Sequence, residues 1–398
     1  MLMDRAIAFV TAGRWQVPAI KMAMELGFCS IAIDSNPNAP GLKVADHSII
    51  AELDNIKEII GSIDSLEIVV AGVLSYCSEV GVLTASIIRE HYELEFPNPE
   101  QVFIFLDKSL QRKKLDEEGF TNPKWQVIDN ARDIDFKGKN FKFPLVVKPP
   151  DSSGSRGVSV VNSLDELEEK INKAVVFSKN RKIIIEEFID GTEFTVEVKA
   201  KKGKIDVLLV TKKFKISNDV KTVAAELWSV NPNDEIFSRL SKLAKKVFHA
   251  FGLQTGIGHL EALVTPNGKI YIVEAAIRGG GFNLANKMVV FSTGFDLCKW
   301  SIENETKNDY DAEVLFYKPA VLFFQPTTTG ILKKISGIYE ANVIEGVYVE
   351  QLITEGTKLD DAETDADRIY CAILVSDSSE NLQIKKEKVQ NMITVEIL

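Results

Sequence analysis

Residues 258–281, GHLEALVTPNGKIYIVEAAIRGGG, predict a β-hairpin in which two apolar strands flank a TPNG turn at 265–268. Each strand carries one acid that packing alone does not need, Glu261 in the first and Glu274 in the second. With the middle two turn residues at the centre of the loop, Glu261 faces Ile272, and Glu274 lies on the same face, diagonal to Glu261. A loop longer by one residue would put the acids on opposite faces, unless a β-bulge compensates.

The same face carries further chemistry. His259 is predicted to lie opposite Glu274, and Ala276 and Arg278 continue the face beyond it. Two carboxylates that converge beside an arginine suit divalent cations that hold a phosphorylated ligand. From the hairpin alone, a pair of solvated carboxylates on an exposed sheet face is the simpler interpretation.

Composition places the chain among ordinary soluble globular proteins. Its 398 residues are too many for one simple core and predict two or three domains. The net charge of −10 argues against a dedicated nucleic-acid surface, and no apolar stretch approaches membrane-spanning length. The 4 cysteines lack metal-ligand spacing and are typical of reduced thiols. We therefore expect a cytoplasmic protein without nucleic-acid or membrane partners.

The first region, residues 1–98, predicts a Rossmann-like domain. Apolar strands near 6–10, 30–33 and 68–73 alternate with helices, and this βαβαβ order implies a parallel sheet. The first turn, TAGRWQ, lacks the G-x-G-x-x-G pattern, which argues against a nicotinamide dinucleotide.

Residues 99–123 predict a helix that bridges two domains. The helix is rich in mixed charges, with few core-facing positions such as Phe103 and Leu110. Lys108 lies on it and, taken alone, is a solvated surface charge.

Residues 124–188 predict a compact central unit. A strand at 143–148 ends at Lys148, and the polar glycine loop 152–157 joins it to an antiparallel strand. The backbone N–H groups of this loop could wrap a phosphate, or the loop could be a mobile hairpin tip. The sequence leaves both interpretations open.

Residues 189–398 predict a larger, mostly antiparallel domain that contains the hairpin. A helix is expected at 232–251. Residues 313–398 alternate short strands and turns, and we interpret them as completing a sheet, without a catalytic cluster.

Four stretches in this order resemble the ATP-grasp superfamily, among its members most the carboxylate–amine ligases of the L-amino-acid ligase and carbamoyl-phosphate-synthetase-like type. The stretches are KSLQRKKL (108–115), FPLVVKPPDSSGSRGV (143–158), IIIEEFIDGTEFTVE (183–197) and GHLEALVTPNGKIYIVEAAIR (258–278). The resemblance covers nearly the whole chain. It implies an α/β (α+β) ATP-grasp fold: a Rossmann-like parallel-sheet domain, a small central lid domain and a larger antiparallel C-terminal domain.

The resemblance also implies a role for particular residues. ATP phosphates would be held by lysines and a closing loop: Lys108, Lys148, Lys213 (with Lys212 as the alternative), Ser152, Ser153, Gly154, Ser155 and Gly157. Adenine and ribose would lie against one strand and its continuation: Glu186, Glu187, Phe188, Ile189 and Glu193. Glu261 and Glu274 match magnesium ligands. Arg278, which steadies the acyl phosphate or the substrate carboxylate, and Lys148 are the expected catalytic residues.

One departure concerns the metal. Many members have asparagine two residues after the second metal glutamate, where this chain has Ala276. Alanine cannot ligate a cation, so the number of bound ions is open. The implied cofactors are ATP and Mg²⁺, or Mn²⁺ in its place.

The implied activity is ligation of a small carboxylate, an amino acid, to an amine through an acyl phosphate, giving ADP and phosphate. The partners would be the two small-molecule substrates and, as is common among relatives, a second copy in a homodimer. The alternatives are carboxylation through carboxyphosphate, and a nucleotide-binding regulatory protein without turnover. His259 is the candidate general base by position, although a packing role is more usual for such a histidine.

Overall fold

An all-parallel sheet forms the N-terminal part of the chain. The computed structural model describes residues 5–95, 97–129, 131–216, 223–306 and 312–398. The first sheet has the strand order β3-β2-β1-β4, and helices alternate with its strands. The elements are β1 (Arg5–Val10), α1 (Val17–Glu25), β2 (Cys29–Asp34), β3 (His47–Ile50), α2 (Ile56–Asp64), β4 (Val69–Leu74) and α3 (Val82–His91). The predicted parallel sheet is present, with β3 as an additional edge strand.

Two helices, α4 (Pro99–Leu106) and α5 (Lys108–Glu117), stand where the sequence predicts one. Asp107 separates them with extended backbone angles, φ −130° and ψ 111°. Its carboxylate caps α5 by accepting hydrogen bonds from the backbone N–H groups of Ser109 at 2.7 Å and Leu110 at 3.3 Å. The break therefore makes Lys108 the first residue of a new helix.

The break also changes which side chains are buried. Phe103 and Leu110, expected to face the core, are exposed, whereas Val102, Phe105 and Leu115 are buried. A single continuous helix does not describe this segment, so one apolar face cannot be drawn through both halves.

The central unit is a small antiparallel sheet with one covering helix. Its strand order is β5-β8-β6-β7, and α6 buries its apolar face against it. The elements are β5 (Trp125–Ile128), β6 (Leu145–Lys148), β7 (Ser159–Val161), α6 (Leu164–Val175) and β8 (Ile183–Glu187).

An eight-stranded antiparallel sheet forms the rest of the chain. Its order is β13-β12-β9-β10-β11-β14-β18-β16, and a small sheet, β17-β15-β19, packs nearby. The strands are β9 (Thr192–Lys201), β10 (Lys204–Lys215), β11 (Ala224–Ser229), β12 (Gly256–Val264), β13 (Ile270–Ala276), β14 (Ala320–Pro326), β15 (Gly330–Ser336), β16 (Val347–Gln351), β17 (Lys358–Leu359), β18 (Arg368–Val375) and β19 (Thr394–Ile397). The helices are α7 (Glu235–Ala250), α8 (Val289–Thr293), α9 (Leu297–Glu305), α10 (Ile338–Asn342) and α11 (Ser379–Met392). Strands β14, β16 and β18 do complete the sheet, as predicted for the C-terminal region.

The helices are short and amphipathic. In α7, Leu240, Ala244 and Val247 are buried, as their spacing on one helical face predicts. Within the described ranges, no helix combines the length and the apolar character needed to cross a membrane.

The β12–β13 hairpin differs from its predicted register. Val264 pairs with Ile270, so the loop is one residue longer than predicted. A register shift between Glu261 and Ala262 adds a second residue on the β13 side, and Glu261 then pairs directly with Glu274. The two one-residue changes cancel, because side chains alternate faces with a period of two. The predicted diagonal pairing is wrong, but the acids still share a face.

Candidate active site

A cavity of about 670 Å³ is lined by the central sheet, the large sheet and the turn after β4. All the predicted site residues line it except Gly157. Gly157 has a left-handed φ of +74°, and a Cβ there would meet Phe177 at 2.9 Å, so its place is in the packing beneath the loop. Gly157 therefore lies outside the described cavity lining, and its predicted contact with a phosphate stays a prediction.

The paired carboxylates of the hairpin lie on the cavity floor. Glu274 forms an ion pair of 3.0 Å with Lys108, and Glu261 lies 3.8 Å from Lys213 and 3.4 Å from His259. Although burial works against its charged form, Lys213 and His259 hold the pKa of Glu261 well below its ordinary value.

These two glutamates fit a divalent cation by their chemistry. Carboxylate oxygens are hard donors of the kind that Mg²⁺ takes, and both side chains reach the same cavity. Among the residues described, no group of three or more His, Cys, Asp or Glu side chains could hold a metal. Ala276 pairs with His259 in the register and is buried. The protein therefore offers two ligands, and substrate oxygens or water would have to complete the coordination.

Lys108 points into the cavity from the first turn of α5. Besides its pair with Glu274, its ammonium group donates a hydrogen bond of 2.6 Å to the backbone carbonyl of Ser152. Burial opposes its charge, but Glu274 and Glu79 outweigh that effect and raise its pKa above the ordinary value. The interpretation of Lys108 as a solvated surface charge is wrong, because the helix break at Asp107 turns it inward.

Lys148 belongs to a second, self-contained charge cluster. Its ammonium lies 2.7 Å from Glu186, whose carboxylate also accepts a hydrogen bond of 2.6 Å from Arg112 Nε. Burial, together with the Arg112 guanidinium and despite Glu186, lowers the pKa of Lys148 to about 8. Burial disfavours the charge of Glu186, yet Arg112 and Lys148 lower its pKa to about 2.

Arg112 is a cavity residue that was not predicted from the sequence. Its guanidinium also donates to the backbone carbonyls of Ile272 at 2.8 Å and Val273 at 3.1 Å, next to the hairpin bulge. It lies four residues after Lys108, on the same face of α5, and that spacing is the signal that could have found it.

The β10 strand contributes two further cations beside Glu193. Lys213 lies 2.5 Å and Lys215 2.8 Å from the Glu193 carboxylate. Burial opposes the charge of Lys213, but Glu193 and Glu261 raise its pKa. Lys212 points to the other face, with its ammonium 5.0 Å from the Phe214 ring centroid. Of the two alternatives, Lys213 is the lysine that lines the cavity.

Glu79, from the N-terminal domain, is another residue that the sequence analysis missed. Its carboxylate lies 3.2 Å from Arg278 Nη2. Burial and the nearby Glu274 raise the pKa of Glu79, and Arg278 opposes them. Arg278 is thus held by a carboxylate of a different domain.

His259 is buried between two glutamates. Its Nδ1 pairs with Glu197 and its Nε2 faces Glu261. Burial disfavours the imidazolium, but Glu197 raises the pKa of His259 to about 9. A histidine protonated at neutral pH cannot accept a proton, so the free protein does not present it as a general base.

The glycine loop lies against the C-terminal region. Ser155, in the left-handed region at φ 61°, donates a hydrogen bond of 3.3 Å to Asp365. Asp365 and Arg368 both line the cavity. The expectation that residues 313–398 only complete the sheet is therefore wrong. Arg368 is the first residue of β18, Asp365 lies three residues before it, and the pairing of β18 with β14 brings both to the cavity.

Known proteins resemble this chain in the sequence of its middle part and in its fold. The ATP-grasp domain family matches residues 141–286. The L-arginine-specific L-amino acid ligase of Bacillus subtilis is 24% identical over 303 residues, which are 74% of this chain and 73% of that ligase.

Two solved structures extend this likeness over the whole chain. L-amino acid ligase from Bacillus licheniformis superposes with a TM-score of 0.85, at 19% identity over 100% of both chains. N5-carboxyaminoimidazole synthetase from Staphylococcus aureus, complexed with ADP, gives 0.75 at 13% identity over 98% of both chains. Sequence identities this low support a similarity of fold alone. The predicted fold class is confirmed.

Proposed function

We propose that this chain, whose residues 141–286 match the ATP-grasp domain family, is an ATP- and magnesium-dependent carboxylate–amine ligase. It would activate a small carboxylate, that of an amino acid, as an acyl phosphate and join it to an amine, releasing ADP and phosphate. One observation carries the proposal: two hairpin carboxylates share a cavity with lysines from three separate elements, the buried Lys108 and Lys148 and the partly buried Lys213.

The proposed chemistry matches this arrangement of charge. In phosphoryl transfer the protein mainly positions the groups and stabilises the charge on phosphate oxygens. Lys108 and Lys148 both line the cavity, and Lys213 lies 3.8 Å from Glu261 of the hairpin. Arg278, anchored by Glu79, would hold the reacting carboxylate and then the acyl phosphate.

Glu261 and Glu274 would hold magnesium between them. When bound, the cation supplies charge neutralisation at the phosphate oxygens. In the free protein Lys108 and Lys213 occupy these carboxylates. We infer that the lysines turn from the glutamates toward phosphate oxygens when nucleotide and cation enter.

The nucleoside would lie against residues 186–189 and Glu193. The Glu186 carboxylate is occupied by Lys148 and Arg112, so adenine recognition from that position falls to backbone groups and to neighbours Glu187, Phe188 and Ile189. Glu193 would bind ribose, after exchanging one of its two lysine partners for a hydroxyl.

The ligation step itself balances without a further reagent. The amine nitrogen forms a bond to the carbonyl carbon while the bond from that carbon to the phosphate oxygen breaks. Phosphate leaves with the electron pair, and the amine proton passes to phosphate or solvent. The glycine loop 152–157 would exclude water from the acyl phosphate during this step.

The test is a screen of amino-acid pairs that follows ADP release, combined with trapping by hydroxylamine. We expect ADP only when a carboxylate and an amine are both present, and a hydroxamate when hydroxylamine replaces the amine. Release of AMP would contradict the acyl phosphate. Dependence of ADP release on bicarbonate would replace ligation by carboxylation.

A regulatory protein without turnover predicts a different pair of results. ATP would raise the melting temperature, because a ligand that binds only the folded state stabilises it, while no substrate pair released ADP. That outcome would overturn the proposed function.

A further inference from the structure

Strand β13, which carries Glu274, lies at one edge of the eight-stranded sheet, and β16 lies at the other. An outer strand has a neighbouring strand on one side alone, so every second residue points its backbone N–H and C=O away from the sheet. A strand whose outer groups are unbound opens more readily than a strand inside the sheet. The position of Glu274 therefore depends on what covers the outer side of β13.

Gln111, in α5, covers that side at Ala275. Its Nε2 donates a hydrogen bond of 2.9 Å to the backbone carbonyl of Ala275, and its Oε1 accepts one of 2.9 Å from the N–H of the same residue. Both groups of Ala275 therefore point away from β12, although the residue is in register with Leu260 of that strand. The side-chain amide takes the place of a neighbouring strand at this residue.

Every hydrogen-bonding group of the Gln111 amide has a partner within the protein. The second hydrogen of Nε2 goes to the backbone carbonyl of Phe105, 3.3 Å away, in the last turn of α4, where helical carbonyls lack a partner in their own helix. The side chain is 1% exposed and does not line the cavity. Gln111 therefore joins α4, α5 and β13, and it can act on the site only through them.

The contact lies beside the proposed metal ligand of β13. Ala275 separates Glu274 from Ala276, whose side chain has no oxygen to offer a cation. Glu274 is therefore the ligand that β13 supplies, and the backbone at the next residue sets where its carboxylate lies. One turn before Gln111 on α5, Lys108 forms the ion pair of 3.0 Å with Glu274. The same turn of helix thus holds the strand and its carboxylate.

Arg112 does not replace this contact. Its guanidinium binds the carbonyls of Ile272 and Val273, which come before Glu274 along the strand. Gln111 binds the residue that follows Glu274. The metal ligand is therefore anchored on both sides, and removal of the Gln111 amide frees one of them.

We propose that Gln111 is a positioning residue for the magnesium site, because it fixes the backbone of Ala275 so that the Glu274 carboxylate keeps its place when Lys108 gives way to the cation. The inference rests on the magnesium site of the proposed function. Groups that orient a metal ligand typically contribute about 10- to 100-fold to metal affinity. The hairpin supplies two ligands, so displacing Glu274 would leave the ion with Glu261 and with oxygens from outside the protein.

The opposite edge of the same sheet supplies a matched control. There the amide of Asn342, in α10, donates a hydrogen bond of 2.9 Å to the carbonyl of Val349 in β16 and accepts one of 2.7 Å from its N–H. The two amides make the same pair of bonds to an outer strand, but Asn342 and Val349 do not line the cavity. Loss of strand anchoring as such would affect both variants, whereas loss of metal positioning would affect the Gln111 variant alone.

The experiment compares the wild type, Gln111→Met and Asn342→Leu, which remove the amides and approximately keep the side-chain size. The melting temperature is measured at a fixed concentration of ADP while magnesium chloride is varied. Its dependence on magnesium gives the dissociation constant, because stabilisation grows with the ratio of ligand concentration to that constant. We expect Gln111→Met to raise the constant about 10- to 100-fold and Asn342→Leu to leave it unchanged. The dissociation constant for ADP in EDTA should be the same in all three proteins.

Turnover gives a second measurement. The magnesium concentration for half-maximal ADP release should rise by the same factor in Gln111→Met, while the rate at saturating magnesium stays near that of the wild type. Gln111→Asn, whose amide is one methylene shorter, should change the constant in the same direction, and it replaces the methionine variant if that variant does not fold. In a Glu274→Gln background, Gln111→Met should raise the magnesium constant no further, because residues that act through one another are not additive.

The outcomes separate this inference from the function on which it rests. An unchanged magnesium constant in Gln111→Met, or an equal rise in Asn342→Leu, would overturn the positioning role. A further rise in the Glu274→Gln background would overturn it too. A wild type whose melting temperature with ADP ignores magnesium would overturn the metal site itself. If magnesium acts as expected but no substrate pair releases ADP, the ligase function fails and the role of Gln111 stands.

Discussion

Two buried lysines face the same cavity in opposite electrostatic settings. Around Lys108, Glu274 and Glu79 supply more negative charge than burial removes, and they raise its pKa. Lys148 shares the single carboxylate of Glu186 with Arg112, and its pKa is lowered to about 8. The first lysine lies in an excess of carboxylates, and the second lies in an excess of cations.

We infer from this difference that the carboxylates around Lys108 bind ligands, whereas the cluster around Lys148 holds the domains together. A magnesium ion would neutralise the excess carboxylate charge near Lys108 and the hairpin. The cluster of Lys148, Glu186 and Arg112 joins the central sheet to α5, and Arg112 continues it to the β13 carbonyls. The same substitution should therefore affect activity in one cluster and stability in the other.

Replacing Glu186 with glutamine should have the largest effect, on stability. It removes the carboxylate that pairs with both Lys148 and Arg112, two cations that are each about 95% buried or more. Breaking a buried pair by removing one partner costs roughly 3–5 kcal/mol of the free energy of unfolding, because the remaining charges are uncompensated. Urea denaturation of the free protein measures it.

Glu187→Gln is the matched control, since Glu187 is the next residue of β8 and has only a weak hydrogen bond of 3.4 Å from the Lys124 backbone. Its change in unfolding free energy should stay within about 0.5 kcal/mol. Equal stability of the Glu186 and Glu187 variants would mean that this cluster does not hold the domains.

Replacing Glu274 with glutamine should instead abolish most turnover and leave the protein folded. Lys108 keeps its bond to the Ser152 carbonyl and, unlike Lys148, still has other carboxylates beside it, Glu79 and Glu261, so its charge stays compensated. Loss of partners outside the metal's own ligands typically costs 10–100-fold, so removing a ligand should lower kcat by at least about 100-fold. The assay is ADP release at saturating magnesium, with Glu235→Gln on the surface of α7 as the control. Wild-type turnover in Glu274→Gln would refute the metal role.

The two clusters also differ in how many of their residues can be predicted from the sequence. The hairpin acids, the glycine loop and Lys148 can be predicted from the sequence, because each lies in a local pattern of strand, turn and charge. Glu79 and Asp365 could not be predicted from local patterns, because tertiary packing brings them to the cavity from separate elements, whereas the spacing of Arg112 from Lys108 on α5 is a local signal. Even within the hairpin, the strand register could not be predicted correctly. The predicted loop is one residue too short and the bulge was not predicted, but the two errors cancel for the faces of Glu261 and Glu274.

The third effect is smaller and concerns pH. With a pKa of about 8, Lys148 is charged at pH 7 and mostly neutral at pH 9. Its charged fraction falls from about nine tenths to about one tenth over that interval. Because nucleotide phosphates favour the charged form, the dissociation constant for ATP should rise by up to about tenfold from pH 7 to pH 9. Lys108, with a raised pKa, keeps its charge there.

For Lys148, raising the pH has opposite effects on ATP binding and on folding stability, so the two measurements can be told apart. The pKa of Lys148 is lower in the folded than in the unfolded protein, so the unfolded state binds more protons and this lysine's contribution to stability rises with pH above 8. His259, whose pKa Glu197 raises to about 9 against the effect of burial, titrates in the same pH range and loses its stabilising contribution as pH rises.

The Lys148→Arg variant separates the effects of Lys148 and His259, because arginine stays charged. Its ATP affinity, measured by calorimetry without acceptor, should not depend on pH between 7 and 9. A tenfold loss that persists in Lys148→Arg would assign the pH effect to His259 and remove the contrast between the lysines.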